Sequence, residues 1–71
     1  MPQGNYVLED YLVSEPCGWA KNVTSTSYEY TLVGSQAKTY ITESAVQADI
    51  NILTSAPHNL PSARFGVGRK P

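Results

Sequence analysis

Cys17 and His58 are the residue types from which a thiol nucleophile and its base are made, and each occurs once in this 71-residue chain. Nucleophilic catalysis needs thiolate and base within hydrogen-bond reach, a group that orients the base, and a donor for the oxyanion. Cys17 falls in "SEPCGWAKN", a loop by composition, and His58 in a Pro- and Gly-punctuated tail; nothing identifies the remaining parts. Cys17 reads as a buried or unremarkable thiol and His58 as a surface or interface histidine. No catalytic residue is assigned and no enzyme is expected. One Cys and one His also fall short of the four N or S ligands of a protein-only zinc cage, so neither metal nor cofactor is expected. "GVG" at 66–68 is too little for a phosphate loop, which needs a strand before it, a helix after it and a third glycine.

Arg64, Arg69 and Lys70 are three of the five basic side chains. With Phe65 available for stacking, they make a minimal single-strand-binding arm. Magnitude argues against it: neutralising about three phosphates gives a salt slope of only about −2.7, which is weak binding at cellular salt. Residues 1–54 carry six acids against Lys21 and Lys38, a balance of −4, whereas residues 55–71 carry +3 and no acid. An acidic body would repel nucleic acid. The better partner for the basic end is a protein surface of opposite sign, such as another copy of the body.

The remaining candidate contacts are aromatic. Five tyrosines in so small a domain cannot all be buried with satisfied hydroxyls. Tyr28, Tyr30 and Tyr40 therefore read either as strand formers at the rim of the core or as a protein-binding face. Trp19 reads as a lid over one end of the core or as an interface anchor, since Trp is enriched among binding hot spots. Leu60, Arg64, Phe65, Arg69 and Lys70 complete the expected partner-binding set, as apolar and basic side chains spaced along the tail.

The elements that position these residues follow from periodicity. "GNYVLEDYLVSEP" is a strand candidate bounded by turn residues, with i, i+4 pairs that also fit a short helix. "TSTSYEYTLV" alternates, and "AKTYITE" alternates again after "GSQ", which predicts a central hairpin over about 27–43. "ESAVQADINILTS" has Val46, Ala48, Ile50 and Ile52 at strand period, and its β-branched residues favour strand. Ser44 with Gln47 also resembles a capping box, and Val46, Ile50 and Leu53 would line one helical stripe. Beyond residue 55, Pro57, Pro61 and Pro71 cannot donate to a ladder, and Gly66 and Gly68 raise the cost of ordering. The expected fold is mainly β: a small antiparallel sheet of three to four strands over residues 1–55, with 56–71 as an extended basic arm. The alternative is α+β with one helix at about 44–54.

A chain this short buries only roughly 60% of its unfolded surface and keeps a margin of about 3–5 kcal/mol. The single Cys17 rules out an internal disulfide, so oligomerisation or docking on a larger body is the expected reinforcement. No basic and apolar leader opens the chain, and its longest apolar runs are far below the ~18 residues of a membrane span. One unpaired cysteine suits a reducing compartment or a particle assembled inside a cell, and Asn22-Val23-Thr24 reads as a chance sequon. The expectation is a structural or assembly protein that clasps its neighbours with the arm. Low charge and abundant Ser, Thr, Asn and Gln suit a virion component such as a capsid-cementing or adaptor protein. The alternative is a small inhibitor or regulatory binding module.

Overall fold

Tyr6–Asp10 forms β1, the strand around which the others assemble. The computed structural model describes residues 4–70. Val7 and Leu8, adjacent in sequence, are both fully buried. Successive strand residues face opposite sides, so β1 is covered on both faces, which is why its sequence is an apolar run and not a clean alternation.

β2 (Gly18–Val23), β3 (Tyr28–Thr31), β4 (Thr39–Tyr40) and β5 (Phe65–Arg69) complete a five-stranded antiparallel sheet. β5 pairs along the whole of β1, from Tyr6↔Arg69 to Asp10↔Phe65. The other side of β1 is shared: β2 takes Glu9 and Asp10, while β4 takes Tyr6 and Val7. The Lys38 N–H donates to the Ala20 carbonyl at 2.8 Å. β4 therefore enters where β2 peels away, and the sheet curls.

β2 and β3 form a hairpin closed by "TSTS" at 24–27. Thr24 Oγ1 accepts from the Ser27 N–H at 2.9 Å, and the Thr24 N–H donates to the Ser27 carbonyl at 2.9 Å. Hydroxyl side chains that bond nearby backbone are what turns of this composition use. The register shifts between Ala20 and Asn22, a bulge at Lys21. One extra residue reverses the inside–outside alternation, which lets Ala20 and Val23, three apart, both be buried.

α1 (Glu43–Leu53) lies against the sheet with Val46, Ile50 and Leu53 buried. Thr42 caps it by accepting from the Ala45 N–H at 3.2 Å, and Glu43 in the first turn complements the helix dipole. The strand reading of this segment gives way to the helical alternative. Ile and Val cost only about 0.5 kcal/mol each in a helix, whereas burying each side chain yields roughly 1.5–3 kcal/mol. The stripe wins, and the cap stands two residues before the expected Ser44.

Two further expectations are corrected. The hairpin over 27–43 does not form: β3 pairs with β2, and β4 with β1. Gly34–Gln36 folds as a 3-10 turn instead of a tight hairpin turn, and it carries the chain across to β1. Nor do residues 56–70 extend as a separate arm, and Pro71, the last residue of the expected arm, lies outside the described residues. Leu60 packs against the core, its N–H donating to the Leu53 carbonyl at 2.9 Å, and Phe65 lies within the core. "FGVGR" is a strand of period two, with Phe65 and Val67 facing inward and glycines between them. Added Cβ atoms at Gly66 and Gly68 would collide with the side chains of Tyr11 and Glu9, respectively. Glycine is what allows the side chains of Glu9 and Tyr11 to lie across β5.

Candidate functional site

The residues expected to form a partner surface divide between core and surface. Tyr40 and Phe65 are buried, Leu60 packs on the core, and Tyr28 and Trp19 are half-buried. Tyr30, Arg69 and Lys70 are exposed. β5 and β3 position the exposed three at opposite borders of the sheet, so they do not form one patch.

The inward-facing members hold polar clusters that carry structure. Asp10, fully buried, receives Arg64 through two bonds of 2.9 Å, from Nε to Oδ1 and from Nη2 to Oδ2. The Tyr28 hydroxyl donates to Oδ2, and the Leu12 N–H donates to Oδ1 at 3.1 Å. Burial works against the Asp10 charge, but the bonds from Arg64, Tyr28 and Leu12 outweigh it and hold the carboxyl below its ordinary value. Burial and the Asp10 bond push the Tyr28 phenol up. The guanidinium lies 5.6 Å from the Tyr28 ring centre and 5.3 Å from that of Phe65, and the two rings meet edge to face at 5.9 Å. Arg64 is thus consumed inside its own domain.

Asp49 does for α1 what Asp10 does for β5. Its Oδ2 accepts from Lys38 Nζ at 2.9 Å and from the Tyr40 hydroxyl at 2.6 Å, locking the helix to β4. Burial and this bond raise the Tyr40 phenol. Neither carboxylate stands out in the sequence by type. Asp10 was findable by parity, since it shares a strand face with Leu8, and a carboxylate on a buried face demands a partner.

The surface that sequence reading missed is an apolar end of the sheet. Leu12 is 73% exposed, Leu32 57% and Val33 50%. Val13 and Leu32 both lie over Gly18: a Cβ there would crowd Val13 and stand 3.2 Å from Leu32 Cδ2. Beside them a shallow groove is lined by Tyr11, Leu12, Pro61, Ala63 and Arg64. The signal was present as two apolar dipeptides, Leu12-Val13 and Leu32-Val33, each just past a strand end where the pairing that would bury them stops.

No protein family, no curated protein and no solved structure matches this chain. Cys17 immediately precedes β2, and His58 Nε2 lies 2.9 Å from the Thr24 carbonyl just past the far end of that strand. An extended run of that length spans roughly 20 Å, so thiol and imidazole are not brought together. Burial, with Glu9 and Asp10 acting in the same direction, pushes the Cys17 thiol up, which disfavours the nucleophilic thiolate. Among the described residues no cluster of His, Cys, Asp or Glu is placed to hold a metal, and no helix is long and apolar enough to cross a membrane.

Proposed function

We propose that this chain is a structural subunit that packs against protein neighbours in a larger assembly, with the Leu12/Val13/Leu32/Val33 end as a contact surface. The observation that carries the reading is the exposure of Leu12, Leu32 and Val33 at the strand ends, with Val13 and Leu32 meeting over Gly18. Single exposed apolar residues are ordinary on any protein, whereas contiguous ones mark interaction sites. A 71-residue chain with a thin stability margin gains most from such a contact. The clasp by residues 56–71 is not part of this proposal, because β5 belongs to the chain's own sheet. The finer assignment, a cementing or adaptor component of a virion, is supported by low charge and polar, uncharged composition alone.

A one-to-one binding module is the second reading. The groove between Leu12 and Ala63 favours it, being shaped to accept one partner side chain. Leu12→Ser tests the leading proposal, because a side chain so exposed contributes little to the fold. Light scattering across a concentration series should show wild-type association that the variant weakens at unchanged thermal midpoint. Association indifferent to Leu12 removes this surface from the proposal, and a discrete monomer with a tight one-to-one target selects the second reading.

A further inference from the structure

β5 has one bonded side and one open side. Among the described residues it pairs with β1 alone. Residues of an antiparallel ladder alternate between bonding their partner and turning away from it. The Tyr11 N–H donates to the Arg64 carbonyl, and the Lys70 N–H to the Asn5 carbonyl, each at 2.8 Å. These bonds bracket β5, so Gly66 and Gly68 face β1, while Val67 and Arg69 turn their N–H and C=O groups to the open side. The Phe65 N–H closes onto the Ser62 carbonyl, and its own C=O turns outward. The open run therefore extends from the Phe65 carbonyl to the Arg69 carbonyl.

A groove lies beside this run, lined by Tyr6, Glu43, Val67, Gly68 and Arg69, with a volume of about 230 Å³. That is below the roughly 300–1,000 Å³ of a cofactor or drug-sized site, and it suits a single side chain. Phe65 lies in the core and Val67 packs against it. Arg69 shares their face by parity, with its guanidinium 5.6 Å from the Tyr6 ring centre. An added strand would set its own alternate side chains on this same face, beside Val67 and Arg69.

Charge decides what those side chains must be. Residues 50–70 contain no acid, and Arg64 is committed to Asp10. Arg69 is exposed, and among the described residues it meets the Tyr6 ring but no carboxylate. Opposite charges facing each other across a strand pair are stabilising, and like charges destabilising. Glu43, also exposed, lines the same groove and repels a second carboxylate there, which confines the acid to the Arg69 position.

We propose that the open side of β5 binds an extended segment of a partner protein as an added antiparallel strand. The segment carries a carboxylate opposite Arg69 and, two residues later, a β-branched side chain opposite Val67. Backbone bonds to Val67 and Arg69 supply affinity whatever the sequence, and the alternate side chains supply selectivity. Open strand borders are templates for this kind of addition. The contact lies at the other end of β5 from the groove at Leu12 and Ala63, so it goes beyond the assembly reading and does not depend on it.

Capped hexapeptides of alternating Thr and Val, with the first Val replaced by Asp, Asn or Lys, test it by NMR titration of the full chain. The Asp peptide should shift the amide signals of Val67 and Arg69 and slow their hydrogen exchange. It should bind about threefold tighter than the Asn peptide, with the Lys peptide weakest. Arg69→Gln should bind the Asn peptide as wild type does and lose the preference for Asp, whereas Glu43→Gln should strengthen Asp binding. Absence of shifts at Val67 and Arg69 with the Asp peptide at millimolar concentration overturns the proposal. So does a preference for Asp that survives in Arg69→Gln. If the two amides are already protected in the chain alone and lose protection on dilution, a second copy occupies the border and the assigned partner is wrong. Leu12→Ser should leave every titration unchanged, so failure of this contact and failure of the apolar end are read separately.

Discussion

A fully buried aspartate meets a basic residue 54 positions away, and this pair decides how much of the stability is electrostatic. Removing one partner of a buried ion pair costs about 3–5 kcal/mol, because a desolvated charge is left behind. That equals the whole margin of a domain this small. Arg64→Met should therefore leave the chain largely unfolded by circular dichroism at neutral pH, whereas Asp10→Leu combined with Arg64→Met should restore most of the fold. The pH dependence has a definite sign. Asp10 sits below its ordinary value in the folded state, so its contribution is complete above about pH 3.9 and is lost as pH falls through the lower folded value. Urea midpoints should decline through that acid window in wild type, and the part due to Asp10 should vanish in the double variant. Tyr28 and Tyr40 act in the opposite direction: their contribution holds below about pH 10 and fades as pH rises beyond it. The sequence offered Arg64 as a cation for an outside partner. Charge counting registers sign but not distance in the fold, and only the inward parity of Asp10 hinted that the partner lies inside.

Among the elements, what could be read from sequence depended on whether local chemistry or tertiary pairing decided the outcome. The stripe of Val46, Ile50 and Leu53 was legible as a helix once its burial was weighed against β propensity, and the hydroxyl-rich turn at 24–27 is local chemistry. The partner of β3 was not legible. "YEYTLV" alternates whichever strand lies beside it, and the choice of β2 over β4 is made by the 3-10 turn at Gly34–Gln36. The bulge at Lys21 was equally hidden, since it shows only in the register against β3. Two glycines separate kinds of strand contact in a way that can be measured. A Cβ at Gly4 would stand 2.5–2.7 Å from the backbone N, O and C of Tyr40, so alanine there must push β4 off β1. At Gly68 the obstacle is the end of the Glu9 side chain, which can swing into solvent. Gly4→Ala should cost about 3 kcal/mol, the upper range for overpacking, and Gly68→Ala about 1 kcal/mol or less. Comparable losses of thermal midpoint in the two variants would contradict the close approach of Gly4 to the Tyr40 backbone.

At the scale of the whole molecule, the last quarter of the chain completes the fold instead of leaving it. Prolines and glycines suggested an arm because each raises the cost of order locally. That cost is met by a strand on offer, since β1 presents an unpaired side along its full length and β5 pairs residue for residue with it. Phe65 fills the core next to Tyr28, and Arg64 neutralises Asp10. Deleting residues 64–71 therefore removes three supports together. A buried Phe reduced to Ala already costs about 3–5 kcal/mol, and the deletion also exposes one side of the central strand. The truncated chain should lack a cooperative thermal transition, whereas Arg69→Ala alone, at the exposed end of the strand, should keep it. A truncated chain that still melts cooperatively would mean that β1–β4 and α1 hold the core without β5. The acidic body and basic tail would then be separable parts after all.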